Sequence, residues 1–128
     1  MSESNESDRD RLKRYIKECK TCAAEEGVEG HIAKLRNVIE KYPSEKLKKN
    51  LRTFKALGNP IRLKILFLLL EKEDLCPCEL NITFELSQSN ISHHLSILER
   101  AELISNYMRG KWKYYRISES GKEFMKFI

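Results

Sequence analysis

The sequence predicts a mainly α-helical chain that closes on one small β-hairpin, and three observations carry that prediction. Apolar residues recur at three- and four-residue spacing through most of residues 12–98, the period of helices buried on one side. Two β-prone runs, residues 104–108 and 112–117, are separated only by Arg109-Gly110-Lys111, and Gly110 can take the positive φ of a tight turn. Immediately before them, residues 86–103 read as a helix with an apolar stripe of Ile91, Leu95 and Leu98 opposite a polar, nearly uncharged one. A helix of that kind followed by a basic hairpin is the winged helix-turn-helix arrangement.

In chain order, residues 1–10 are polar and acidic and are expected to form a disordered tail. A first helix is expected from about residue 9 to 26, with Leu12, Tyr15, Ile16, Cys19 and Ala23 on one face and Gly27 and Gly30 marking its end. A second, from about residue 31 to 42, places Ile32, Leu35, Val38 and Ile39 inward and stops before Pro43. A third starts at Ser44, directs Leu47, Leu51, Phe54 and Leu57 inward, and is broken at Gly58-Asn59-Pro60. The fourth, residues 60 to about 71, has Pro60 in its first turn and apolar residues nearly all round, as a central buried helix requires. Pro77 opens a short helix to about residue 85, and residues 118–128 hold a last short helix with Phe124, Phe127 and Ile128 on one side. The expected organisation is an acidic tail (1–10), an N-terminal helical extension with Cys-x-x-Cys (11–45) and a winged DNA-binding domain (46–128).

Charge is unevenly spread. The net formal charge is +5, but residues 1–10 are net −3, residues 11–58 net +7 and residues 100–128, with the hairpin, net +4. That distribution favours a polyanionic partner. The amino terminus has no apolar core of a signal peptide. The longest apolar run, residues 65–70, is far below the about 20 residues needed to cross a bilayer. A soluble, cytoplasmic protein without a membrane partner is expected. No nucleophile-base-acid arrangement appears, so neither an enzyme nor a small organic substrate is expected.

Two groups of residues carry chemistry. Gln88, Ser89, Asn90, Ser92 and His93 are short hydrogen-bonding side chains that can meet base edges in a major groove at little desolvation cost; a merely solvated face would carry Lys and Glu. Arg109, Lys111 and Lys113 sit where a wing meets phosphates. His94, beside Leu95, is expected to be half-buried and satisfied within the fold. The second group is Cys19-x-x-Cys22, expected on the first helix, and Cys76-x-Cys78, where another helix begins and amide dipoles favour thiolate. Two such pairs can form a closed tetrathiolate for zinc, cadmium, lead or copper(I). A reversible disulfide and inert thiols are the alternative readings.

Four segments bring a family into view: Leu57-Gly58-Asn59-Pro60-Ile61-Arg62-Leu63-Lys64-Ile65-Leu66, Leu75-Cys76-Pro77-Cys78-Glu79-Leu80, residues 87–98, and Arg109-Gly110-Lys111-Trp112-Lys113-Tyr114-Tyr115-Arg116. Over residues 47–118 the chain resembles the ArsR/SmtB family of metal-responsive repressors. The resemblance implies a homodimer that binds an inverted-repeat operator in double-stranded DNA and leaves it when a metal binds. The family's arsenic sensors carry a third cysteine three residues after the Cys-x-Cys pair; that position is Asn81, so arsenite is the less expected effector. In the CadC-type, cadmium- and lead-sensing branch, cysteines of an amino-terminal arm complete the pair. The resemblance casts Cys19 and Cys22 in that role, with cadmium, lead or zinc as effector. The family's alternative site on the last helix needs histidine, and none follows His94.

Overall fold

The structure, a computed structural model, describes residues 7–19 and 27–128. These fall into two units, one within residues 1–44 and one of residues 45–128.

The first unit pairs α1 (Asp8–Glu18) with α2 (Gly27–Glu40). Ser7 caps α1 by accepting the Asp10 N–H at 3.1 Å, so the helix starts inside the segment expected as tail. Lys13 and Glu29 join the two helices at 2.7 Å, beside an apolar seam of Leu12, Ile16 and Ile32. Three expectations change. The first helix stops at Glu18, and Cys19 leaves it in an extended conformation, φ −75° and ψ 122°. Cys22 and Ala23 lie outside the described residues. Gly27 and Gly30 belong to the start of α2, where Gly27 takes a φ of +76° that glycine adopts without steric cost. No residue of α1 or α2 is buried, and Leu35, Val38 and Ile39 are exposed instead of inward, because two helices alone cannot cover both apolar stripes.

The second unit holds α3 (Ser44–Leu57), α4 (Pro60–Lys72), β1 (Asp74–Leu75), α5 (Pro77–Phe84), α6 (Gln88–Arg100), β2 (Ile104–Arg109), β3 (Trp112–Ile117) and α7 (Glu119–Met125). Its core unites Ile65, Leu66 and Leu69 of α4, Leu80 of α5, Ile91, Leu95 and Leu98 of α6, and Leu103, Ile104, Tyr115 and Ile117 around the sheet. Each such aliphatic side chain contributes about 1.5–3 kcal/mol of burial. Asn59 caps α4 by accepting from the Ile61 and Arg62 N–H groups at 2.9 and 3.2 Å. α4 is central but not buried all round, since Phe67 and Leu70 face outward.

α3 departs further from expectation. Of the four large apolar residues expected inward only Leu57 is buried, together with the shorter Thr53 and Ala56; Leu47, Leu51 and Phe54 are 44%, 48% and 62% exposed. Small residues let the last turns of α3 approach the core closely, which turns its bulky stripe away.

The sheet is antiparallel with order β1-β3-β2. Tyr107 pairs with Tyr114 and Arg109 with Trp112, leaving Gly110, at φ +64°, and Lys111 as the turn. β1 was not foreseen. It adds a third strand, with Asp74 opposite Arg116 and Leu75 opposite Tyr115, and leads directly into Cys76. Ser118 starts α7, accepting the Gly121 N–H at 3.0 Å and donating to the Glu102 carbonyl at 2.7 Å. A Cβ on buried Gly121 would stand 2.6 Å from Ile117 Cγ1, so α7 lies as close to the sheet as a backbone can. The helix ends at Met125, which leaves Phe127 and Ile128 exposed; Phe124 meets Phe54 edge-on at 6.5 Å. Among the described residues no helix is long and apolar enough to cross a membrane.

Candidate nucleic-acid interface

α5 and α6 are set against each other by a tight turn. α5 ends at Glu85 in the left-handed region, φ 54° and ψ 43°. The Leu86 N–H then donates to the Asn81 carbonyl at 3.1 Å, while Asn81 Nδ2 donates to the Leu86 carbonyl at 3.0 Å. Asn81 therefore clamps the turn from both sides. Ser87 caps α6 by accepting the Asn90 N–H at 3.2 Å. Ile91, Leu95 and Leu98, each at most 2% exposed, fix the rotation of α6 about its axis. Gln88, Ser89, Asn90, Ser92 and His93 are all exposed as a result.

The hairpin presents its cations in two ways. Lys111 and Lys113 are exposed, their ammonium groups 5.5 and 5.6 Å from the ring centres of Trp112 and Tyr115, and neither has a carboxylate partner among the described residues. Arg109 is held instead. Its Nη2 donates to Asp74 Oδ2 at 3.3 Å and to the Tyr107 hydroxyl at 2.8 Å, and its guanidinium lies 4.4 Å over the Tyr114 ring. The Tyr107 oxygen, with smaller contributions from Tyr114 and Asp74, pushes Arg109 up from its ordinary value. Asp74, Tyr107 and Arg116 were missed by sequence reasoning. The alternation of 105, 107, 109 and 112, 114, 116 was a usable signal for the strand residues, but a two-residue β1 has no periodicity to read.

A second anchor ties α6 to the end of α3. Arg62 Nε donates to the Ala56 carbonyl at 2.7 Å, Nη2 to the Lys55 carbonyl at 3.1 Å, and Nη1 stands 3.2 Å from His94 Nδ1. Arginine only donates, so His94 Nδ1 is the acceptor and the imidazole is neutral. Burial foremost, then the charges of Arg62 and His93, push His94 down from 6.5. His94 is thus half-buried and paired, while His93 points to solvent.

Cys76 is half-buried as the N-cap residue of α5, its N–H donating to the Glu79 carboxylate at 3.0 Å; Cys78, two residues on, is exposed, and the two are not joined in a disulfide. Cys78 shares a cleft of about 410 Å³ with Asn81, Ile82, Leu86, Ser87 and Gln88. One thiol and the first residue of α6 therefore line the same space. Among the described residues no three His, Cys, Asp or Glu side chains are gathered as a metal site.

An exposed polar stripe on a helix locked into a core, beside a basic hairpin, defines a DNA-binding regulator of the winged helix-turn-helix class. Residues 59–106 match the family described as bacterial regulatory protein, arsR family. The chain is 38% identical over 81 residues to the arsenical resistance operon repressor of Bacillus subtilis (strain 168), covering 63% of this chain and 77% of that one. It is 34% identical over 64 residues to the cadmium resistance transcriptional regulatory protein CadC of Listeria innocua, covering 50% of this chain and 54% of that one. Its fold is similar to the homodimeric winged helix-turn-helix DNA-binding domain of a possible ArsR-family regulator from Mycobacterium bovis, with a TM-score of 0.61 and 26% identity over 66% of this chain and 78% of that one. The chain belongs to the arsR family of bacterial regulatory proteins, and it is a transcriptional repressor of that family, not an enzyme.

Proposed function

We propose that this repressor acts as a homodimer on an inverted-repeat operator in double-stranded DNA and is released by a thiophilic metal ion bound at cysteine thiolates. The observation that carries the reading is the exposed stripe of α6, whose direction the buried Ile91, Leu95 and Leu98 determine. Gln88, Ser89, Asn90, Ser92 and His93 read base edges, and Arg109, Lys111 and Lys113 hold phosphate. The exposed Leu47, Leu51 and Phe54 of α3, with Phe127 and Ile128, supply an apolar face for a second copy. The Mycobacterium bovis domain of similar fold is homodimeric.

Cys76 and Cys78 would hold the ion through sulfur, and the other two sulfurs are assigned, from sequence spacing alone, to Cys19 and Cys22. The donor set suits cadmium, lead or zinc. Arsenite is less favoured, because Asn81 is engaged in the turn where a third local thiol would be needed. When bound, such an ion supplies a crosslink between the segments that carry its ligands. Cys76 starts α5 and Cys78 borders the cleft shared with Gln88, so a shift of the first turn of α5 reaches the first residue of the reader helix. A coupling of this kind is typically about 1–3 kcal/mol and reciprocal, so operator DNA weakens metal binding in turn.

The test is an anaerobic cadmium titration of reduced protein and of Cys76→Ser, following thiolate-to-metal absorption and promoter affinity together. Wild type should lose promoter affinity as the absorption saturates, and Cys76→Ser should bind DNA normally yet ignore cadmium. Failure of Cys76→Ser to bind DNA would make the thiols structural. Release of wild type by oxidant but not by cadmium would make them a redox switch.

A further inference from the structure

The outer face of the wing holds an arrangement that neither base reading nor thiol chemistry requires. Strand alternation puts Tyr107 and Arg109 of β2 on the same side as Trp112, Tyr114 and Arg116 of β3. Guanidinium groups and rings interleave there. Arg116 lies 4.1 Å from the centre of the Tyr107 ring, Tyr107 and Tyr114 stack at 5.9 Å, and Arg109 lies 4.4 Å from the centre of Tyr114. One carboxylate serves the whole stack. Asp74 Oδ2 accepts from the Tyr107 hydroxyl and from Arg109 Nη2 at 3.3 Å, and Oδ1 is 3.8 Å from Arg116 Nε.

Both protein bonds of Arg109 use Nη2, so Nε and Nη1 keep their donors, and the side chain is 60% exposed against 27% for Asp74. An arginine on a tight hairpin otherwise samples many rotamers; stacked and tethered, it offers its remaining donors in one orientation, which suits the planar geometry of a phosphate contact. Asp74 itself is placed by β1, through pairing with Arg116, two residues before Cys76.

We propose that Asp74 is the positioning residue of the wing: with the Tyr107 hydroxyl it holds Arg109 and Arg116 in a single phosphate-facing array, and through β1 it makes that array respond to occupation of the Cys76 and Cys78 thiols. The inference rests on the DNA- and metal-binding reading above. Asp74 touches no base and no metal in this scheme; it acts through the two arginines.

Fluorescence anisotropy with two duplexes of equal length, the protein's own promoter region and a scrambled sequence, tests this for wild type, Asp74→Asn and Tyr107→Phe, with and without one equivalent of cadmium. Tyr107→Phe keeps every charge and the ring, removing only the hydroxyl. Both variants should lose about fivefold or more of the preference for promoter over scrambled DNA, the scale of one lost specific contact. Asp74→Asn should also bind scrambled DNA at least as tightly as wild type, because a negative charge has left the face that meets phosphate. The cadmium-induced fall in promoter affinity should shrink in both. Wild-type preference in both variants overturns the proposal. If Asp74→Asn loses all binding together with its thermal midpoint, Tyr107→Phe decides. A wild type that prefers its promoter but ignores cadmium ends the metal reading and the coupling, while the preference data still decide the positioning role. A wild type with no preference for promoter ends the DNA reading and this inference with it.

Discussion

α3 and α6 are helices of nearly equal length, 14 and 13 residues, and each carries a stripe of large apolar side chains, yet they meet opposite fates. In α6 the stripe Ile91, Leu95, Leu98 is sealed in the core; in α3 the stripe Leu47, Leu51, Phe54 stays open. The difference lies in the neighbours. α6 is surrounded by α4, α5 and the sheet within its own unit, whereas α3 buries only Thr53, Ala56 and Leu57. Amphipathicity therefore marks a face that must be covered without saying by what, and in α6 the covered face is what aims the polar one.

Substitutions in the two stripes should separate most clearly. Leu95→Ala in α6 should cost about 2–5 kcal/mol in urea unfolding through lost burial and the cavity left behind. Leu51→Glu in α3 should leave helicity by circular dichroism unchanged and convert dimer to monomer in sedimentation velocity. Comparable loss of helicity in both variants would erase the contrast. On the exposed side of α6, His93→Ala should weaken promoter binding by about 1–3 kcal/mol with an unmoved thermal midpoint, as expected of a side chain that reads a base and packs against nothing essential.

Smaller effects sharpen the picture of how the α5–α6 pair is held. Glu85 and Glu102 follow α5 and α6 at φ 54° and 60°, where glycine would be unstrained. Glu85→Gly and Glu102→Gly should each raise stability by about 0.5–1 kcal/mol, the left-handed strain relieved minus the entropy of glycine. The smallest effect is the pH dependence of the α6 anchor. His94 titrates below its ordinary 6.5 in the fold, so below that pH the unfolded chain takes up the proton first. Stability should be full above pH 6.5 and decline as the pH falls through the lowered value, and His94→Gln should flatten that decline in denaturation curves measured across the range. An unchanged slope would show that the Arg62 contact does not hold the imidazole neutral.

Much of the fold and of the candidate interface was determined by the sequence alone, because the signals involved are local. Ser87 is a cap, Pro60 and Pro77 open helices, Gly110 closes a hairpin, and the spacing of Ile91, Leu95 and Leu98 leaves Gln88, Ser89, Asn90, Ser92 and His93 outside. Each of these depends on residues a few positions apart. Only the tertiary structure decided which stripe of α3 is buried, that Asp74 holds Arg109 across 35 residues, and that Arg62 meets His94 across 32. Those pairings have no period, since a hydrogen bond between distant segments depends on how the intervening elements pack and not on the residues beside it.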